Sequence, residues 1–396
     1  MNVTEIQALI SACPDGGTVA LPPGRHTIDQ NVGHLEWTRS ITIDGQGSEI
    51  LVIPVPSTPT VANIPALNGD TPNGTQVTIK NLTITYPNVV DEPQRLGIVK
   101  ANDDYIAIHV GRTAGPDTRL TCLNVKVTGL VGSAIHRTGG GFTDVIGCQM
   151  NAWESPLKIF AGHPSDTTAS CRLLSNTFSG VGSKSTSIGI YIHPNITLQS
   201  IGNNFQDFNY HGISAHGGPG PQPGQTFTSV CDGFIRCPII ATPLMYARVH
   251  RAYREGAYTR ASVIRGDLYM TDSSLGVEAI TYFPEYNHNV VIEDCTWDPI
   301  AVIGGAQGSG NIEYRNVTWN LKVSGRLPSI EADFVGTVTY VNCHAYDAAS
   351  GPFVMLNDGP GPLVYAAGLT IHSNRSLQDI LYGTGSFQTS PVIVYP

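Results

Sequence analysis

The chain has 396 residues, a formal net charge of -9, 41% hydrophobic side chains and only 13% charged ones. That balance is too apolar for a disordered polymer, and its acidity argues against nucleic acid as a partner. No apolar run reaches the roughly 18 residues needed to span a bilayer, and eight scattered cysteines are too few for a disulfide scaffold.

At the N-terminus, Thr4 followed by Gln7 reads as a capping box, and Ile6, Leu9 and Ile10 form one apolar helical face. Pro14, Gly16 and Gly17 end that helix, Thr18-Val19-Ala20-Leu21 reads as a strand, and Pro22-Pro23-Gly24 as a sharp turn. Residues 1–24 are expected to cap the open end of an elongated stack of strands. The segment after Met1 lacks the basic flank and apolar core of a signal peptide.

Beyond residue 24 the pattern is one of short alternating runs, such as Ser40–Gly45, Val77–Ile84 and Val291–Trp297, separated by Gly, Asn, Asp or Pro. They repeat. An inward small position recurs as Leu82, Val125, Cys148, Asn176, Asn203, Cys231, Cys295, Val317 and Cys343, mostly at intervals of 22 to 28 residues. A larger apolar residue follows two places later, from Ile84 through Phe178 and Phe205 to Trp297 and Trp319. Gly233 fits poorly there, and Phe234 is expected to replace it. The cysteines of this column read as free buried thiols, and Asn176 with Asn203 as an amide ladder bonded from coil to coil.

A second column runs half a repeat out of phase: Ile106–His109, Ser133–His136, Leu157–Phe160, Ile190–His193 and Ile213–His216. Two strand registers at one period, without alternating helices, describe an all-β fold: a single-stranded parallel β-helix of about 10–13 coils with rungs about 4.8 Å apart. Residues 25–396 are expected to form one such body, with inserted loops near 54–74 and 217–226.

The opening Thr4–Ile10 followed by Gly16–Gly24, with this repeat, resembles the pectin-lyase-like superfamily of right-handed parallel β-helices, which includes polysaccharide-degrading enzymes and bacteriophage tail spikes. The resemblance implies a right-handed coil and a polysaccharide as partner. It also implies an extracellular or virion-associated location and, from the tail spikes, a homotrimer. Asn102–Gly111 resembles the paired-aspartate strand of polygalacturonase-type glycoside hydrolases, which implies an acid/base role for Asp103 and Asp104. The family's Gly-His-Gly motif would fall near Gly129-Leu130-Val131, without its histidine, and its Arg-Ile-Lys motif at Lys158-Ile159-Phe160, with one cation of two.

Alternation places His109, His136, His193 and His216 on one outward face, with Lys158 and Tyr191 beside them and Phe160 interrupting the line. Imidazoles suit both sugar hydroxyls and proton transfer. Glu154 lies two coils beyond Asp104, about 9.6 Å by backbone spacing, so side-chain reach brings the pair within the roughly 6.5–9.5 Å of an inverting glycosidase. In that scheme one carboxyl protonates the glycosidic oxygen, the other activates water, and Lys158 or His136 holds the sugar. A lyase would instead take its base from Tyr191, His193 or Lys158 and its cation from Arg137 or the cluster Arg248, His250, Arg251 and Arg254, which Tyr246, Tyr253 and Tyr258 interleave. A non-catalytic glycan-binding β-helix is the third reading. No cofactor is expected, because Gly139–Gly141 and Gly304-Gly305 lack a nucleotide loop's context, and no closed metal-ligand set is visible.

Overall fold

The computed structural model describes residues 1–54, 64–86, 105–111, 115–129, 132–160, 169–180, 187–193, 195–215, 226–242, 246–255, 262–264, 266–275, 280–282, 288–297, 309–321, 326–330, 335–347, 354–357, 363–382 and 387–395. The chain divides into two compact units, Met1–Gln225 and Thr226–Pro396. Both units are right-handed parallel β-helices. Among the described residues, no helix is long and apolar enough to cross a membrane.

The N-terminal helix, Val3–Ala12, is capped by Asn2 rather than Thr4: Glu5 N–H donates to the Asn2 side chain, and Asn2 N–H donates to the Glu5 carboxylate. Asn2 already holds the extended geometry of a cap, which leaves Thr4 inside the first turn. The buried face is Val3, Ile6 and Ile10, while Leu9 stays 39% exposed. Gln7 has another task. Its amide donates to the Glu36 carbonyl at 3.0 Å and accepts from the Glu36 N–H at 2.9 Å, which satisfies the otherwise open edge of the strand Leu35–Trp37.

In the first unit that strand starts a parallel sheet continued by Ile64–Gly69, Tyr105–Val110, Ser133–Thr138, Leu157–Phe160, Ile188–Ile192 and His211–Ala215. The strand Ile64–Gly69 lies within the span expected to be an inserted loop and is a rung instead. The second expected loop falls at 216–225, outside the described residues, and Thr226 already begins a strand. The other long faces stack Ile41–Ile53, Gln76–Tyr86 and Arg119–Gly129, then the shorter strand pairs of later rungs.

Most described rungs turn a corner at a residue with positive φ, such as Asn81, Asn124 and Ser175 in the first unit and Arg251, Asp272, Asp294, Asn316 and Asn342 in the second. The turn aims that residue's N–H along the stack: Ser175 donates to Ile201 O, Asp294 to Arg315 O and Asn316 to Val341 O. Asparagine tolerates this conformation and adds a side-chain ladder, Asn342 to Asn316 at 2.8 Å and Asn316 to Asp294 at 2.9 Å.

The residue after each corner points inward. Asn176 and Asn203 are buried, with Asn176 Nδ2 donating to Asn203 Oδ1 at 2.8 Å and to Val145 O at 2.8 Å. Asn176 Oδ1 accepts from Cys148 N–H at 2.8 Å, so the amide is satisfied on both sides. Cys148, Cys295 and Cys343 are buried free thiols, and burial pushes Cys148 up to about 11 and Cys295 to about 12. Cys231 is the exception: it is exposed because it occupies the corner itself, with φ of 56°. Asp232 takes the inward slot, fully buried, and accepts from Ser229 Oγ at 2.6 Å. Phe234 then fills the apolar position two places later.

Candidate functional site

The sheet that starts at Leu35–Trp37 presents an outward wall in the first unit. Register places Asn68 opposite His109, His109 opposite His136, His136 opposite Lys158, and Lys158 opposite Tyr191. Phe160 pairs with Thr138 instead, and His193 comes beside Phe160, ring centroids 4.7 Å apart. The four histidines therefore do not share one row. His109 and His136 belong to one row and His193 to the next, two residues on. A two-residue offset keeps a side chain on the same face of a strand, so both rows front the wall. His216, Asp103 and Asp104 lie outside the described residues.

The rings touch in sequence. His109 and His136 meet edge-on at 5.5 Å, His136 and Phe160 at 5.0 Å, and Phe160 and Tyr191 at 5.4 Å. Asn68 Oδ1 sits 2.9 Å from His109 Nδ1 and orients that imidazole. Burial, with His109 and Lys158 beside it, lowers the His136 pKa to about 3, so its ring is neutral at physiological pH. A base whose conjugate acid is so strong has little drive to take a proton. The remaining capacity of His136 is hydrogen bonding. Burial and the Glu154 charge likewise raise the Tyr191 pKa, which keeps the phenol protonated.

Lys158 and Glu154 form an ion pair at the centre of the wall, with side chains 14% and 25% exposed. Glu154 occupies the turn before Leu157–Phe160, two rungs beyond Tyr105–Val110. Arg137 departs from expectation. It is fully buried, and its guanidinium donates to the carbonyls of Val110, Thr138 and Gly140. Alternation turns it inward beside the outward His136, so it serves the core and offers no cation to a substrate.

Two recesses line the wall toward the helix cap. One, of about 320 Å³, is bounded by His34, Pro65, Asn68, Asp70, His109, His136 and Thr138. The other, of about 540 Å³, shares His34, Asn68 and Asp70 with it and adds Gln7, Glu36, Trp37 and Arg39. None of these added residues was a sequence candidate. A signal existed: Ala66-Leu67-Asn68 matches Ala107-Ile108-His109 and Ala134-Ile135-His136 in pattern and in register.

The second unit holds the remaining candidates. Arg248 is exposed and lies 5.9 Å from the centroid of Tyr269, and His250 Nδ1 is 3.4 Å from Asp272. Arg254 is buried and donates to Cys237 O at 3.1 Å, so the basic cluster is not one surface. Tyr246 and Tyr253 are exposed, and Tyr258 lies outside the described residues. Among the described residues, no group of three or more His, Cys, Asp or Glu is placed to hold a metal ion.

No family model matches the chain, and no curated protein is similar to it in sequence. Solved structures resemble it at low identity. PfbA, a surface adhesin of Streptococcus pneumoniae, is 12% identical, with 99% of this chain and 87% of that one covered and a TM-score of 0.40. The endo-xylogalacturonan hydrolase from Aspergillus tubingensis is 9% identical over 100% and 95% of the two chains, with a TM-score of 0.35. The siphovirus 9NA tailspike receptor binding domain is 10% identical over 100% and 75%, with a TM-score of 0.31.

Proposed function

We propose that the protein binds a polysaccharide along the wall of its first unit and hydrolyses a glycosidic bond there. The observation that carries this reading is the run of touching rings from His109 to His193, with the Lys158–Glu154 pair at its centre. Ring faces and edges pack against the C–H faces of sugars, while Asn68, neutral His136 and the Tyr191 hydroxyl address sugar hydroxyls. Glu154 is the base that activates water, Lys158 orients it, and the acid comes from Asp104, the carboxylate the sequence offers two rungs away. Of the three bases a lyase could use, Tyr191 is held protonated and Lys158 is engaged with Glu154, which leaves His193 to that second reading.

Incubation with neutral and uronate-containing polysaccharides, following reducing ends and absorbance near 235 nm together, tests the reading. Reducing ends without absorbance support hydrolysis, and both signals together indicate β-elimination. Binding without either signal leaves a glycan-binding protein and removes the catalytic roles. Under hydrolysis, Glu154→Gln lowers turnover by about 10²–10⁴-fold with affinity nearly unchanged.

A further inference from the structure

Two histidines of the second unit stand together on adjacent strands. Cys343–Asp347 and Leu369–His372 pair in parallel, with His344 opposite Thr370 and Tyr346 opposite His372. Alternation sends Cys343, Ala345, Leu369 and Ile371 into the core, all fully buried, and turns His344, Tyr346, Thr370 and His372 outward. His344 and His372 are therefore diagonal neighbours on one face, each half-buried.

Their rings meet through nitrogen. His344 Nδ1 lies 3.4 Å from His372 Nε2, the ring centroids are 5.7 Å apart, and the planes differ by 27°. That separation is long for a hydrogen bond, in which an N–H donor sits about 2.7–3.2 Å from its acceptor. It fits a shared ion better. Two imidazole nitrogens, each about 2.0–2.1 Å from a tetrahedrally bound metal, stand about 3.3–3.4 Å apart. A modest swing of both rings within their planes turns the two lone pairs onto one ion. Tyr346 stacks flat on His372, centroids 4.4 Å apart and planes within 7°, so that ring can slide in its plane but is kept from rolling out of it.

The surroundings set the class of ion. Asp347, the acid nearest the pair in sequence, is turned to other partners: it accepts from Ser373 Oγ at 2.7 Å and lies 3.0 Å from Arg375 Nε. Among the described residues, no third His, Cys, Asp or Glu joins the two histidines. The protein thus offers two nitrogens and no oxygen anion, with the remaining coordination positions open to water. Imidazole suits copper, nickel and zinc, whereas calcium and magnesium require oxygen ligands.

We propose that His344 and His372 chelate a divalent transition-metal ion of the copper, nickel and zinc class on the surface of the second unit, independently of the ring wall in the first.

The test is calorimetric titration of the full chain with Cu²⁺, Zn²⁺ and Ca²⁺ in a weakly coordinating buffer near neutral pH, with electron paramagnetic resonance of the Cu²⁺ form. The expected result is one equivalent of Zn²⁺ whose affinity falls at least tenfold in His344→Ala and again in His372→Ala, each compared with the parent chain. Cu²⁺ should take the same equivalent more tightly, with imidazole nitrogen couplings in its spectrum, and Ca²⁺ should not occupy it. Thr370→His places a third imidazole opposite His344 and should tighten Zn²⁺ binding at least tenfold, a gain that loss of folding cannot mimic. Far-UV circular dichroism of the metal-free single variants should match the parent, and where one has unfolded the Thr370→His result decides. Absence of a Zn²⁺ or Cu²⁺ equivalent overturns the site. So do affinities within twofold of the parent in both alanine variants, Ca²⁺ bound as tightly as Zn²⁺, or no tightening by Thr370→His.

Discussion

The outward wall of the first unit and the outward face of the second are made alike, from side chains standing off stacked parallel strands, but they commit their polar groups differently. In the second unit, Arg248 lies over Tyr269, the Tyr269 hydroxyl donates to Glu293 at 2.7 Å, and Arg315 grips Glu313 through two bonds of 2.8 Å. Each of these side chains has a neighbour of opposite sign or a ring. In the first unit the wall is mostly rings, the Lys158–Glu154 pair is central, and two recesses open beside it. Identical backbone geometry thus yields a self-satisfied ladder in one place and a surface with room for a ligand in the other.

The sharpest way to break the comparison is at its two arginines. Arg137→Ala leaves a cavity and strips donors from the Val110, Thr138 and Gly140 carbonyls, which should cost about 3–5 kcal/mol. Arg248→Ala removes an exposed side chain and should change stability by no more than about 0.5 kcal/mol. Urea titration with hydrogen exchange, read at Ser133–Thr138 for the first variant and Tyr246–His250 for the second, separates them. Comparable effects would mean that the two arginines do the same job.

Next in size is the ring surface. Phe160→Ala removes the ring that touches His136, Tyr191 and His193, and should weaken glycan binding about tenfold, near 1.4 kcal/mol. Tyr246→Ala, an equally aromatic change on the second unit's face, should weaken it less than twofold. Calorimetry with whichever polymer binds distinguishes the faces, and an equal loss in both variants would place the sugar elsewhere.

Most of the architecture was legible in the sequence because a solenoid writes its period into the chain: the small inward slot and the apolar residue two places on recur wherever a rung turns its corner. Register was harder. The shift that puts His136 opposite Lys158 rather than Phe160 leaves every residue on its expected face, so alternation alone does not reveal it. Cys231 and Asp232 show the opposite case. A one-residue slip exchanges inside for outside, and the poor fit of Gly233 was its trace. The cap-end residues Asn68 and Asp70 were hidden because proline-rich 54–63 suggested that the whole stretch was loop. Arg137 was misjudged because a charged side chain is seldom buried, and only the ring of carbonyls around it explains the exception.

Protonation offers an effect spread over several pH units. His136 has a folded-state pKa of about 3 against about 6.5 in an unfolded chain, so the unfolded state takes up the proton first. Stability should therefore fall as pH drops from about 6.5 toward about 3, by up to about 1.4 kcal/mol per pH unit, and be flat in this term above 7. His136→Gln should flatten that slope. Imidazole NMR gives the direct check: a His136 ring that titrates near 6.5 in the folded protein contradicts the buried, neutral wall.

The smallest effect lies at a corner of the second unit. Arg251 holds φ of 52°, where a Cβ crowds the following carbonyl, while the equivalent corners Asn316 and Asn342 relieve the strain with side-chain bonds along the stack. Arg251 is exposed, and what its corner needs is the main-chain N–H, which donates to Thr271 O at 3.1 Å. Glycine keeps that bond without the steric penalty, though it gives back part of the gain through the larger entropy of its unfolded chain. Arg251→Gly should therefore stabilise the second unit by about 0.5 kcal/mol, and Arg251→Val should destabilise it by about 1 kcal/mol or more. Urea midpoints of the two variants decide it. Equal midpoints would show that the corner bears no strain, and that the recurrence of Asn at these positions reflects the ladder of side-chain bonds alone.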